Sequence, residues 1–136
     1  MKKLLVDAGP LIALFDKHDQ HHQRVIKQAK RFDEIMATTW PVITEVSHML
    51  DFHIKAQLDF LEWISVGGLE IHSLATTDID RILELTETYQ NVPMDLADAS
   101  LIVLSEHLRT HRILSIDSDF QIFQNRFKDF LMNELD

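Results

Sequence analysis

The chain has 136 residues, a formal charge of −9 and no cysteine. The length suits a single domain spanning 1–136, and 46% hydrophobic residues are enough to fill its core. The missing cysteines exclude a disulfide framework and thiolate metal sites, and the acidic balance argues against broad electrostatic binding to nucleic acid, though not against a nucleic-acid enzyme whose acids hold metal ions. Only three apolar residues follow Met1-Lys2-Lys3 before Asp7, too few for a signal peptide. No run is long enough to cross a membrane, so the expectation is a cytoplasmic protein with no membrane partner.

The first element is a strand. Leu4, Leu5 and Val6 are apolar on consecutive residues, as parallel strands buried on both faces are, and they run straight into Asp7. Ala8-Gly9-Pro10 should turn the chain into a helix with Pro10 in its first turn, where a missing N–H costs nothing. Asp16 to His22 reads as a polar link, and its three histidines (18, 21 and 22) as surface residues rather than metal ligands. A second helix is expected from His22 to Phe32. It carries Arg24, Lys27 and Arg31 at helical spacing, the most basic patch of the chain: either a solvated face or a contact for phosphates.

Ile35 to Thr38 is the next strand. Thr39 is placed to cap a helix from Trp40 to Leu50, with Pro41 in its first turn. Glu45 falls between Val42 and Met49 on the apolar stripe of that helix, where a carboxylate is costly unless it is paired, metal-bound or able to reach water. Lys55 to Val66 predicts an amphipathic helix presenting Leu58, Phe60, Leu61, Trp63 and Ile64, stopped by Gly67-Gly68. Leu69 to His72 alternates like a strand. Thr77 or Asp78 then caps a helix ending near Tyr89.

After Pro93 a further helix begins, with Asp95 at its N-cap and Asp98 in its first turn, where the helix dipole favours an ionised acid. Arg112 to Ile116 is the fourth strand, and it runs into Asp117-Ser118-Asp119, repeating the arrangement at Asp7. The aromatic tail, Phe120 to Leu131, should pack on the sheet. Its last segment, 127–132, is open between strand and helix.

Strands alternating with helices give an α/β class: a three-layer α/β/α sandwich around a central, mainly parallel sheet. Ligands of such sheets bind beyond the carboxyl ends of the strands. Asp7 and Asp117 end strands at that edge, and Asp98 and Glu45 lie on helices able to reach it. Each acid alone has an ordinary explanation as a turn, cap or helix-edge residue. Together they would repel by roughly 4 kcal/mol per pair at 4 Å, so they must take up protons or a cation. Oxygen donors without cysteine point to Mg²⁺ or Mn²⁺, and ions held by carboxylates can activate water for phosphodiester cleavage.

The segments Leu5-Val6-Asp7-Ala8-Gly9-Pro10, Thr44-Glu45-Val46, Pro93-Met94-Asp95-Leu96-Ala97-Asp98-Ala99 and Ser115-Ile116-Asp117-Ser118-Asp119-Phe120 resemble, in order, the motifs of PIN-domain nucleases. The VapC-type toxin ribonucleases are the nearest group in appearance. The resemblance implies a PIN-like fold, Mg²⁺- or Mn²⁺-dependent endoribonuclease activity on RNA, homodimers, and a small antitoxin as partner. It assigns Asp7, Glu45, Asp98 and Asp117 as the catalytic and metal-binding quartet. Asp119 assists, and Arg24, Lys27 and Arg31 are candidates for holding RNA. Ser115 stands where relatives often carry Thr, keeping the hydroxyl. Two other readings remain: a catalytically silent PIN-like binding module, and an aspartate-based phosphatase or phospho-acceptor. The second would want an acid pair on the first strand and a lysine at a late strand end; the first strand offers only Asp7 and the late end has no lysine.

Overall fold

The computed structural model describes residues 2–116 and 119–135, and of residue 119 only the backbone. Its strands are β1 (Lys3–Val6), β2 (Ile35–Thr39), β3 (Glu70–His72), β4 (Arg112–Leu114) and β5 (Met132–Asn133). They form one sheet in the order β3-β2-β1-β4-β5, and every neighbouring pair is parallel. β1 is central, and Leu4, Leu5 and Val6 are buried, as their unbroken apolar run requires. The tail ends as a strand. It is short and pairs with β4 through Met132 and Asn133. Phe120, Phe123 and Leu131 enter the core, whereas Ile122, Phe127 and Phe130 stay exposed, contrary to the expectation that the whole aromatic tail packs inward.

The helices are α1 (Ala8–Phe15), α2 (His22–Ala29), α3 (Trp40–Met49), α4 (Ile54–Ser65), α5 (Ile79–Thr88) and α6 (Leu96–Leu108). From β1 the chain steps outward through α1 and α2 to β2, then through α3 and α4 to β3. It returns through α5 and α6 across the sheet to β4. Right-handed crossovers in opposite directions place the two helix groups on opposite faces, giving the α/β/α layers. α6 packs on β1 and β2, and most of its length is buried.

Three helices differ in detail from the sequence pattern. α2 stops at Ala29 rather than Phe32; Phe32 N–H bonds the Ala29 carbonyl in a turn that brings the chain back to β2. α4 carries two apolar rows. Phe60, with Ala56, Trp63 and Ile64 beside it, faces the core, while Ile54, Leu58 and Leu61 lie outside. It ends as expected at Gly67, whose φ of 97° is the left-handed geometry of a helix C-terminus. The Gly67 and Gly68 N–H groups bond the Ile64 and Trp63 carbonyls. In α5 only Leu85 is buried, while Ile79 and Leu83 are exposed.

Candidate active site

The strand order reverses between β1 and β4. The chain leaves β1 toward β2 on one side, and β4 pairs with β5 on the other. The crevice beyond the carboxyl ends of these two strands is where open parallel sheets bind ligands. Asp7 sits at that point. It follows β1 directly and caps α1, its Oδ1 accepting the Ala8 N–H at 2.8 Å. No intervening turn is needed, and Pro10 occupies the first helical turn. Asp7 Oδ2 accepts the Ser115 hydroxyl at 3.2 Å, so the carboxylate at the end of β1 is tied to the end of β4. It is only 8% exposed.

Ser115 is itself held. Its N–H donates to Asn133 Oδ1 at 3.1 Å, and its carbonyl accepts from Asn133 Nδ2 at 2.7 Å. Asn133 Oδ1 also accepts the Leu135 N–H. One side chain of the edge strand β5 therefore fixes the segment that leaves β4.

Asp98 enters from α6. Asp95 Oδ1 accepts the Asp98 N–H at 2.8 Å, and Asp98 Oδ2 accepts the Asp95 N–H at 3.2 Å, a reciprocal capping box made of two acids. The first turn of α6 is anchored to the sheet from below. Ser100 donates its hydroxyl proton to the Ala97 carbonyl at 2.7 Å, so Thr39 is the donor in the 2.7 Å Thr39–Ser100 hydroxyl pair. Thr39 thus stands at the N-cap position of α3 without making the side-chain cap bond its sequence position suggests. Its hydroxyl joins β2 to α6 instead. Thr38 next to it donates to the Val6 carbonyl at 2.7 Å.

The dipole of α6 does not keep Asp98 ionised at ordinary carboxylate pH. Burial, then the negative charges of Asp95 and Asp7, push its pKa up to about 8. The sequence expectation fails because a partly buried acid among other acids loses more hydration and suffers more repulsion than a helix terminus returns.

Glu45 does not lie on the buried stripe of α3. Val42, Ile43, Val46 and Leu50 make that stripe, while Glu45 and Met49 are exposed. The helix is rotated so that Glu45 reaches the rim of the crevice. The result is a cleft of about 590 Å³ lined by Asp7, Glu45, Asp95 and Asp98 together with Gly9 and Ile116. Gly9 lies close to the other wall: a Cβ there would come to 3.2 Å from Ile116 Cβ, so a larger residue would need Ile116 to give by a few tenths of an ångström.

No basic side chain is among the described residues lining this cleft. Its donors are carboxylate oxygens, which suit a hard divalent cation, and an acid held near pKa 8 marks a cluster short of positive charge. The residues therefore fit Mg²⁺ or Mn²⁺. Among the described residues no three His, Asp or Glu side chains gather closely enough to form a metal site by themselves. Asp117 and the side chain of Asp119, two of the five expected ligands, lie outside the described residues; the backbone of Asp119 begins a short 3-10 turn to Gln121.

The basic cluster is elsewhere. None of Arg24, Lys27 and Arg31 lines the cleft. Arg24 lies 3.3 Å from His21 Nδ1, and the Arg31 guanidinium stacks over Phe32 at 5.3 Å, beyond the end of α2. His22 is more than a surface residue: its Nδ1 lies 2.6 Å from the Ala13 carbonyl, and it therefore donates, fastening α2 to α1.

A family model for the PIN domain matches residues 4–125. The chain belongs to the PIN domain family. Ribonuclease VapC26 of Mycobacterium tuberculosis (strain ATCC 25618 / H37Rv) is 23% identical to this PIN domain chain over 116 residues, covering 84% of it and 86% of that protein. The crystal structure of Mycobacterium tuberculosis VapC20, described as a sarcin-ricin loop cleaving toxin, superposes with a TM-score of 0.78 at 14% identity over 87% of this chain and 92% of that one. The structure of VapBC2 from Rickettsia felis, bound to a DNA fragment from its promoter, superposes with a TM-score of 0.65 at 14% identity over 98% of each chain.

Three polar residues that organise this PIN domain escape a motif-by-motif reading, Thr38, Ser100 and Asn133, and Thr39 takes a different role from the cap its position suggests. Ser100 has a signal, a lone hydroxyl in the apolar run Ala99 to Leu104. Asn133 has none, because its partner lies 18 residues away.

Proposed function

We propose that this chain is a metal-dependent endoribonuclease of the VapC type, a single domain over 1–136 acting in the cytoplasm as the toxin of a toxin–antitoxin pair. The observation that carries the reading is the cleft at the sheet's switch point, which Asp7, Glu45, Asp95 and Asp98 line without a basic side chain among the described lining residues, and in which Asp98 is pushed up to about 8. The names of the relatives in sequence and fold agree with it.

Asp7 and Asp98 would hold the ion centrally, Glu45 from the rim, with Asp117 and Asp119 completing the set. Mg²⁺ or Mn²⁺ supplies Lewis acidity toward water and toward a phosphodiester. The protein's own part is orientation. The Ala8 N–H and Ser115 hydroxyl each occupy one oxygen of Asp7 and fix the plane of its carboxylate. Asp98 is held by the Asp95 backbone. Glu45, exposed on the rim and off the buried stripe of α3, is suited to accept a proton from attacking water.

Partners have surfaces to use. Leu58 and Leu61 of α4 are 57% and 50% exposed, and with Ile54 they form a row at helical spacing. That row suits the apolar face of a small antitoxin. Ile79 and Leu83, one turn apart on α5, suit a second copy in a homodimer.

The test is cleavage of RNA by the purified chain with Mg²⁺ or Mn²⁺, compared with D98N. Loss of cleavage in D98N supports the assignment, and undiminished cleavage removes it. Calorimetry with Mn²⁺ separates the silent-module reading, since a module without a working site gives no specific heat of binding.

A further inference from the structure

A second groove opens beside the acidic cleft. It has a volume of about 490 Å³ and is lined by Trp40, Pro41 and Leu96, and by Glu45 and Asp95, which it shares with the cleft. Trp40 is 53% exposed and Leu96 57%. Both begin helices, α3 and α6, whose first turns the Thr39–Ser100 bond locks together. The indole is not loose: its Nε1 donates to Ser73 Oγ at 3.2 Å, pinning the ring by its polar edge.

Resting on the ribonuclease reading above, we propose that Trp40, with Pro41 and Leu96 around it, is a stacking subsite for a nucleobase of the RNA strand next to the scissile phosphate. Base stacking on an aromatic face is indifferent to net charge and to base identity. It therefore supplies affinity for single-stranded RNA where the described lining offers no cation for the phosphates. The subsite adjoins the cleft through Glu45 and Asp95, so a strand whose phosphate lies among the acids would bring a neighbouring base to the indole. The Ser73 bond limits how far the ring can turn beneath that base.

The experiment has an arm that needs no turnover. The chain has two tryptophans, Trp40 and Trp63. Emission of the D98N protein is titrated with a short single-stranded oligoribonucleotide and with an abasic oligomer of the same length. Quenching by the base-bearing oligomer only, absent in the D98N/W40F protein, is the expected result. In the second arm, W40A and W40F are made in the active protein, and cleavage of RNA is measured against cleavage of bis-p-nitrophenyl phosphate, which carries no base. W40A should raise KM for RNA roughly 10- to 100-fold, as expected for loss of one stacked base, and lower the RNA-to-ester ratio. W40F, keeping a ring, should recover most of it. Equal quenching by both oligomers, no quenching, or parallel loss on both substrates overturns the subsite. So does conversion of a dimer to a monomer by W40A in sedimentation, which would give the groove to a second copy of the chain. Absence of any cleavage by the unmodified protein counts against the nuclease reading alone, since the emission arm still decides the subsite.

Discussion

Asp95 and Asp98 each cap the other's backbone: Asp95 Oδ1 takes the Asp98 N–H at 2.8 Å, and Asp98 Oδ2 takes the Asp95 N–H at 3.2 Å. A capping box normally pairs Ser or Thr with Glu or Gln, so only one member carries charge. Here both are acids, and Asp7 is near enough to add its charge. Helix α6 starts on a pair of carboxylates that local structure needs and that electrostatics opposes.

This conflict gives the stability a definite pH dependence. Asp98 is raised from 3.8 to about 8 by burial and by Asp95 and Asp7. Between those values the folded state binds more protons than the unfolded state, so its stability contribution is full below about pH 4 and is lost as pH rises through about 8. Urea midpoints of the metal-free protein should fall across that window. D98N should flatten the dependence from this group and raise the midpoint at pH 8. Added Mn²⁺ should stabilise the unmodified protein increasingly as pH rises, because the ion competes with the proton. A metal-free midpoint that climbs from pH 5 to 8 would contradict the account.

Ser115 and Asn133 should matter to activity for reasons of orientation. S115A removes one hydrogen bond to Asp7 and leaves its other oxygen on Ala8. A single such bond contributes about 1 kcal/mol, and the cleavage rate should fall roughly fivefold if that orientation is used in the reaction. N133A removes both bonds to the Ser115 backbone and the one from Leu135. It should cost about 1–3 kcal/mol of stability and lower activity by freeing the exit of β4. Denaturation curves and initial rates on the same preparations separate the two effects. S115T should keep activity close to the unmodified chain.

Glu106 is a buried acid with a different task. Its side chain is 4% exposed and takes two bonds from Arg81 Nε at 3.1 Å, one from Arg81 Nη2 at 2.7 Å, and the Arg126 N–H at 2.7 Å. It joins α5 and α6 to the tail after Phe123. E106A breaks these bonds, but Arg81 keeps its pair with Glu84 and part of its solvent contact, so the loss should stay below the roughly 3–5 kcal/mol of a fully stranded buried charge. Metal affinity per folded molecule should stay unchanged, because Glu106 does not line the cleft. Chemical denaturation and Mn²⁺ calorimetry at low temperature test both halves.

The main elements were legible because each follows from local chemistry. β1 reads from three consecutive apolar residues, the end of α4 from Gly67, and the start of α6 from Asp95 three before Asp98. The apolar rows of α4 show where such reading stops. Ile54, Leu58 and Leu61 are as periodic as Ala56, Phe60 and Trp63, and periodicity alone does not say which row meets the core. Glu45 shows the same limit: the stripe through Val42 and Val46 is buried, but it is narrower than the spacing suggests and leaves Glu45 and Met49 outside.

By itself the sequence determined the alternation of strands and helices, the parallel sheet, and a set of acids placed to meet at one of its edges, because burial and capping act over a few residues. Only the tertiary structure decided how that edge is assembled. The reversal of strand order between β1 and β4 creates the crevice, Ser115 and Asn133 tie its two sides, and Thr39 and Ser100 seat α6 beside it. The pKa of Asp98 belongs to the same class. A helix dipole is local and favours the charged acid. Burial and the field of Asp7, 91 positions away along the chain, come into being only when the sheet has brought the segments together.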